Sequence, residues 1–149
     1  MGRFVVDSSF DNVLLIRYPR TPAQSDFEEM LSLLTKSFEP GKRFALLFDL
    51  DAFAPMSLTR RQRKFAAHFM RQQVPDFREH IVCEARITSS PIFWLLAGFF
   101  DWQAALPWPT GNFRARGKAV AWVQELMTTQ NLRFPTDEVN GQLSDWSES

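Results

Sequence analysis

"RFALLFDL", residues 43–50, decides how the rest of the chain is read. In an extended chain Phe44, Leu46 and Phe48 point to one side and Ala45 and Leu47 to the other. Both sides are apolar, so the segment reads as a central strand covered on both faces, as in a parallel sheet flanked by helices.

The neighbouring segments supply the rest of such a sheet. "RFVVD" and "NVLLIRY" are β-rich runs around the turn-type cluster "SSFDN", which makes them an antiparallel hairpin. Phe27, Met30, Leu31, Leu34 and Phe38 recur at helical spacing, with Ser25 or Thr21 as a cap and "EPGK" as the stop. From Ser57 to about Gln73, Leu58, Phe65, Ala66, Phe69 and Met70 form one helical stripe opposite Arg60, Lys64, His68 and Arg71; Val74-Pro75 ends or kinks that helix. "IVCEARIT" is a strand, and "SSPIFWLLAGFFDW" opens a helix with Ser90 followed by Pro91. "LPWPTG" is a loop, "NFRA" a short strand, and "GKAVAWVQELMTTQ" a closing helix buried through Val120, Trp122, Val123 and Leu126. The order is ββαβαβαβα: one α/β domain over residues 1–132, with a mixed, mostly parallel sheet of about five strands and about four helices. Residues 133–149 hold four acids against Arg133 alone, and read as a disordered acidic tail.

Bulk properties narrow the function. The 149 residues include 17 basic and 17 acidic side chains, so no global field favours nucleic acid or an anionic membrane. One cysteine, Cys83, excludes an intrachain disulfide and a thiolate metal cluster. "MGRFVVDSSF" is too short and polar for a secretory core. The longest apolar run, "PIFWLLAGFF", has ten residues, about half of what a membrane span needs. A cytoplasmic location follows.

The element order has landmarks: "RFALLFDL" as central strand, a loop to a helix at Ser57, and a strand running into "SSPIFWLLAGFF". The loop "LPWP", the strand "NFRA" and a helix carrying "AVAWV" complete them. Over residues 3 to 127 the chain resembles the STAS domain superfamily in its SpoIIAA-like branch. These are small bacterial proteins related to anti-anti-sigma factors, with relatives among SEC14-like lipid carriers. The resemblance implies a regulatory or scaffolding module that docks another protein. In anti-anti-sigma members a kinase phosphorylates a serine where the helix after the central strand begins, within a compact acid-Ser-Ser/Thr-Gly motif. Here "DAFAPMSLT" places Ser57 and Thr59 near that position, and no glycine follows.

Ser57 therefore has two readings: an N-cap, with no capping box because Arg60 stands three residues on, or a phosphosite at a helix start. Arg60, Arg61, Arg63 and Lys64 oppose the helix dipole. They form either a solvated face or, with Asp51, Ser57 and Thr59, a surface that receives an anion or a partner's carboxylates. In the aromatic segment Phe93, Leu96 and Phe100 can share a core face. Trp94, Phe99, Trp102 and Trp108 are left as an apolar interface for a partner protein or a second copy. His68 and His80 lack a motif-spaced partner, and Cys83 reads as buried and inert. Asp49 and Asp51 stand at the carboxyl end of the central strand, where α/β sheets often bind ligands. The expectation is a non-enzymatic protein-docking module working through the 57–73 helix and the aromatic segment, with no cofactor, metal, nucleic acid or membrane span. The alternative is a module that binds a small ligand, lipid or nucleotide.

Overall fold

The segment 43–50 supplies β3 (Phe44–Asp49), which lies in the middle of a five-stranded sheet of order β1-β2-β3-β4-β5 with all its residues buried. The structure, a computed structural model, describes residues 3–148, with the side chains at positions 69, 73, 74 and 99–104 outside the description. β1 (Val5–Asp7) runs antiparallel to β2 (Val13–Arg17). β2, β3, β4 (Ile81–Ile87) and β5 (Thr110–Phe113) are parallel.

Strand order equal to chain order has a consequence for the helices. Each parallel crossover is right-handed, so crossovers that step in one direction across the sheet all fall on the same face. α1 (Gln24–Lys36), α2 (Arg60–Phe77) and α3 (Pro91–Ala104) accordingly share one face, over Leu14, Ile16, Phe44, Leu46 and Phe48. The other face, with Val13, Leu15, Ala45, Leu47 and Ala85, is left to whatever follows β5. It is covered by α4 (Arg116–Thr129) through Ala119, Val120, Val123 and Met127, and by α5 (Thr136–Glu148) through Val139, Leu143 and Trp146.

α5 corrects the reading of residues 133–149 as a disordered tail. Its acids Asp137 and Glu138 sit in the first helical turn, where the dipole favours negative charge. Its three buried apolar residues follow at positions 139, 143 and 146, a helical spacing hidden among polar residues. The helix count rises from about four to five, plus one 3₁₀ turn at Pro55–Ser57.

The 57–73 helix is also displaced. α2 starts at Arg60 and passes through Pro75 to Phe77. Pro75 lies in the final turn, where it has no N–H to give the Arg71 carbonyl, and buried Phe77 anchors that turn in the core. α1 is capped by neither Ser25 nor Thr21: the Asp26 carboxylate accepts a bond from the Ala23 N–H at 2.8 Å.

Candidate functional site

The site begins with an irregularity in β4. Phe44 pairs with Ile81 and Leu46 with Glu84, so two steps along β3 match three along β4. Such a bulge flips the alternation beyond it. Ile81 faces α1–α3, while Cys83, Ala85 and Ile87 face α4 and α5. Glu84 and Arg86 are thereby delivered to the α1–α3 face, buried in the middle of the sheet.

There they pair. Arg86 Nη2 and Nε both reach Glu84 Oε2, at 2.5 and 2.7 Å. Glu84 Oε1 accepts the Trp108 indole N–H at 3.3 Å. Tyr18 packs edge-on against Phe4, Phe48 and Phe53 on the same face. Burial, then the charge of Glu84, push its phenol above the usual range, with Arg86 opposing, so the hydroxyl stays protonated.

Above this pair the helices leave a cavity of about 140 Å³. Leu34, Phe48, Met70, Phe93 and Ala97 are among its apolar walls, with Tyr18, Glu84 and Arg86 in its lining. Arg63, half-buried in the first turn of α2, is the other charged residue of that lining among the described residues. Its Nη1 donates to the Leu58 carbonyl at 2.8 Å, which holds the guanidinium at the wall.

The loop before α2 is arranged differently from the sequence reading. Thr59, not Ser57, is the N-cap. Thr59 Oγ1 accepts the Gln62 N–H at 3.1 Å, and Gln62 Oε1 accepts the Thr59 N–H at 2.8 Å. This is a reciprocal capping box, and the T-x-x-Q spacing was legible two residues beyond the serine. Ser57 is exposed in the 3₁₀ turn, its hydroxyl donating to the Ala54 carbonyl at 2.6 Å. Asp51 forms an ion pair with Arg116 at 2.9 Å, which ties this loop to the first residue of α4. Burial and the neighbouring Asp49 raise the Asp51 carboxyl, and Arg116 opposes them. Asp49 is buried and accepts the Asp51 N–H at 3.1 Å. Arg60, Arg61 and Lys64 are exposed beside one another on the first turn of α2. Asp51, Ser57 and Thr59 are thus exposed but already engaged in hydrogen bonds or an ion pair within the chain, and the three cations stand beside them in solvent.

Of the aromatic residues expected on an interface, Trp108 is a correction: it is buried, with its N–H on Glu84. A loop tryptophan enters the core here because a charged acceptor waits for its N–H. Trp94 is 36% exposed, donates to the Thr88 carbonyl at 3.3 Å, and has the Arg114 guanidinium 4.9 Å from its ring centroid. The side chains of Phe99 and Trp102 lie outside the described residues. Leu95, Met56 and Ile92 are 78%, 68% and 49% exposed, so α3 and the 3₁₀ turn beside it present apolar surface. Cys83 is buried, its thiol pushed up to about 12 by burial and then by Glu84. His80 stacks on Phe38 and places Nδ1 2.8 Å from the Lys42 carbonyl. Among the described residues no helix is long and apolar enough to cross a membrane, and no group of three His, Cys, Asp or Glu is placed to hold a metal.

The pair Glu84 and Arg86 was missed in the sequence although a signal was present. Two charges two residues apart stand inside "IVCEARIT", a strand that the crossover pattern places between covered faces.

No family model matches the chain, and no curated protein matches it at a significant level. Among solved structures, an uncharacterized protein of the DUF3478 family from Shewanella loihica PV-4, with a SpoIIAA-like fold, gives a TM-score of 0.60 at 15% identity. That match covers 80% of this chain and 91% of that one. A protein of unknown function from Arthrobacter sp. FB24 is 24% identical over 80% of this chain and 97% of its own, with a TM-score of 0.29. The likeness to the Shewanella protein agrees with the five-stranded mixed sheet: the fold of this chain is SpoIIAA-like.

Proposed function

We propose that this chain is a non-enzymatic binding module that holds a small, mainly apolar ligand under α1, α2 and α3. One observation carries the reading: a cavity of about 140 Å³ with apolar walls and the buried Glu84–Arg86 pair in its lining. Apolar walls with a few convergent polar groups are the usual composition of a ligand site. An occupant supplies the dispersion contacts that the cavity's apolar lining lacks on the open side. Its size suits a ring-sized molecule, since about 150 Å³ holds benzene. Drug-sized ligands occupy roughly 300–1,000 Å³, which disfavours a whole nucleotide.

The test is native mass spectrometry with solvent extraction of bound material, on the wild type and Ala97→Phe. Ala97 is buried and lines the cavity, so phenylalanine fills it. A stoichiometric apolar adduct should be present in the wild type and absent from Ala97→Phe. A clean apo mass for the wild type, or an adduct indifferent to the substitution, counts against the reading.

A second reading, docking of an acidic partner protein, is favoured by the outer face of α2. Arg60, Arg61, Lys64, His68 and Arg71 are all exposed there, next to the apolar surface of Met56, Ile92 and Leu95. In that reading Ser57, exposed ahead of the cap, is the phosphate acceptor. Charge reversal at Arg60 and Arg61 then abolishes capture of the partner, and phosphate is found on Ser57 of protein from native cells. Capture that survives the reversal leaves α2 as a solvated face.

A further inference from the structure

The charges around the cavity do not cancel. Two guanidiniums, Arg63 and Arg86, line it against one carboxylate, Glu84. Arg86 gives Nε and Nη2 to Glu84 and so neutralises it. The Tyr18 hydroxyl adds no charge. What remains is the positive charge of Arg63, half-buried in the cavity lining.

We infer that the cavity takes a compact monocarboxylate, its apolar body among the helices and its carboxylate on Arg63; this rests on the ligand-binding reading above. A guanidinium has five N–H donors, and among the described residues Arg63 uses one, toward the Leu58 carbonyl. That bond orients the fork and leaves donors for a bidentate carboxylate. A monoanion brings the net charge of the lined volume to zero. A cation would be repelled, and a neutral molecule would gain only the apolar contacts. A phosphate monoester would bring close to two charges to one guanidinium. Exposed Arg60, Arg61 and Lys64, on the same turn of α2, add a positive potential that draws anions toward Arg63. The basic cluster that is unfavourable to the helix dipole gains a role in this way.

The experiment titrates the intact chain with toluene, benzoate, benzylamine and phenyl phosphate, followed by NMR shifts of the cavity methyl groups. Wild type, Arg63→Met and Arg63→Lys are compared. Benzoate should bind at least about tenfold more tightly than toluene, the scale of one hydrogen bond to a charged group. Arg63→Met should erase that advantage while toluene binding stays unchanged, which also shows that the variant is folded. Arg63→Lys should keep part of it. Toluene binding with no preference for benzoate, or a preference that survives Arg63→Met, overturns the carboxylate assignment and leaves the cavity reading standing. Tighter binding of phenyl phosphate overturns it in favour of a phosphate headgroup. Failure of every probe, toluene included, removes the cavity reading itself.

Discussion

Glu84 and Arg86 form an ion pair within a single strand, Nη2 to Oε2 at 2.5 Å, with each side chain only 5% exposed. Residues two apart on a strand share a face, and here that face is packed beneath three helices. A buried pair of this kind is weak evidence for stability, because desolvation offsets the Coulomb attraction; breaking it is costly nonetheless.

Single and double substitutions should separate those two statements. Glu84→Leu or Arg86→Met alone leaves a buried charge without its partner and should cost roughly 3–5 kcal/mol. The double variant should recover most of that loss. Denaturant unfolding measures all three, and additive costs would show that the two side chains act independently.

Thr59 and Ser57 make contrasting predictions for the start of α2. Thr59→Ala removes the acceptor of the Gln62 N–H and should cost about 1 kcal/mol. Ser57→Ala removes one exposed bond to Ala54 and should stay within about 0.5 kcal/mol. The opposite ranking in thermal or urea unfolding would return the cap to Ser57.

α5 should behave as part of the core. Leu143 is fully buried, and Leu143→Ala should cost about 2–5 kcal/mol. Trp146→Ala should cost about 3–5 kcal/mol, and a chain ending at residue 132 should lose more than either. Unfolding midpoints unmoved by these changes would mean that the segment does not pack on the sheet.

Cys83 provides a pH signature. Its folded thiol is pushed up to about 12 from an ordinary 9.0, so the unfolded chain ionises first as pH rises. Stability is therefore unaffected by this group below 9.0 and falls as pH climbs from there toward 12. At pH 10.5 the wild type should have lost about 2 kcal/mol more than Cys83→Ala, relative to pH 8. Equal pH dependence in the two proteins would place the thiol in water. Native Cys83 should also react with a thiol reagent only as fast as the protein opens.

Much of the fold was legible because its signals are local or periodic. The double-sided apolar run of β3, the hairpin ahead of it and, of the α2 stripe, the inward Phe65, Ala66 and Met70 each follow from local side-chain periodicity. The Phe69 side chain of that stripe lies outside the described residues. The cap of α2 was equally local. Its T-x-x-Q box was passed over because the serine two residues earlier is also a strong capping residue. Trp108 was misplaced for a different reason. A loop carries no periodicity, and the acceptor that draws this ring inward lies 24 residues away in the chain.

What the sequence by itself determined is the run of elements from β1 to α4 and the two-sided burial of β3; the strand order that puts α1, α2 and α3 on one face belongs to the assembled sheet. Tertiary structure alone decided the rest. A sheet wound in one direction leaves its second face uncovered, and only that need makes a helix of an acidic segment whose own composition argues for disorder. The bulge in β4 is a mismatch between two strands and exists in neither strand alone. It selects the face on which Glu84 and Arg86 meet, and brings them under the helices that enclose the cavity.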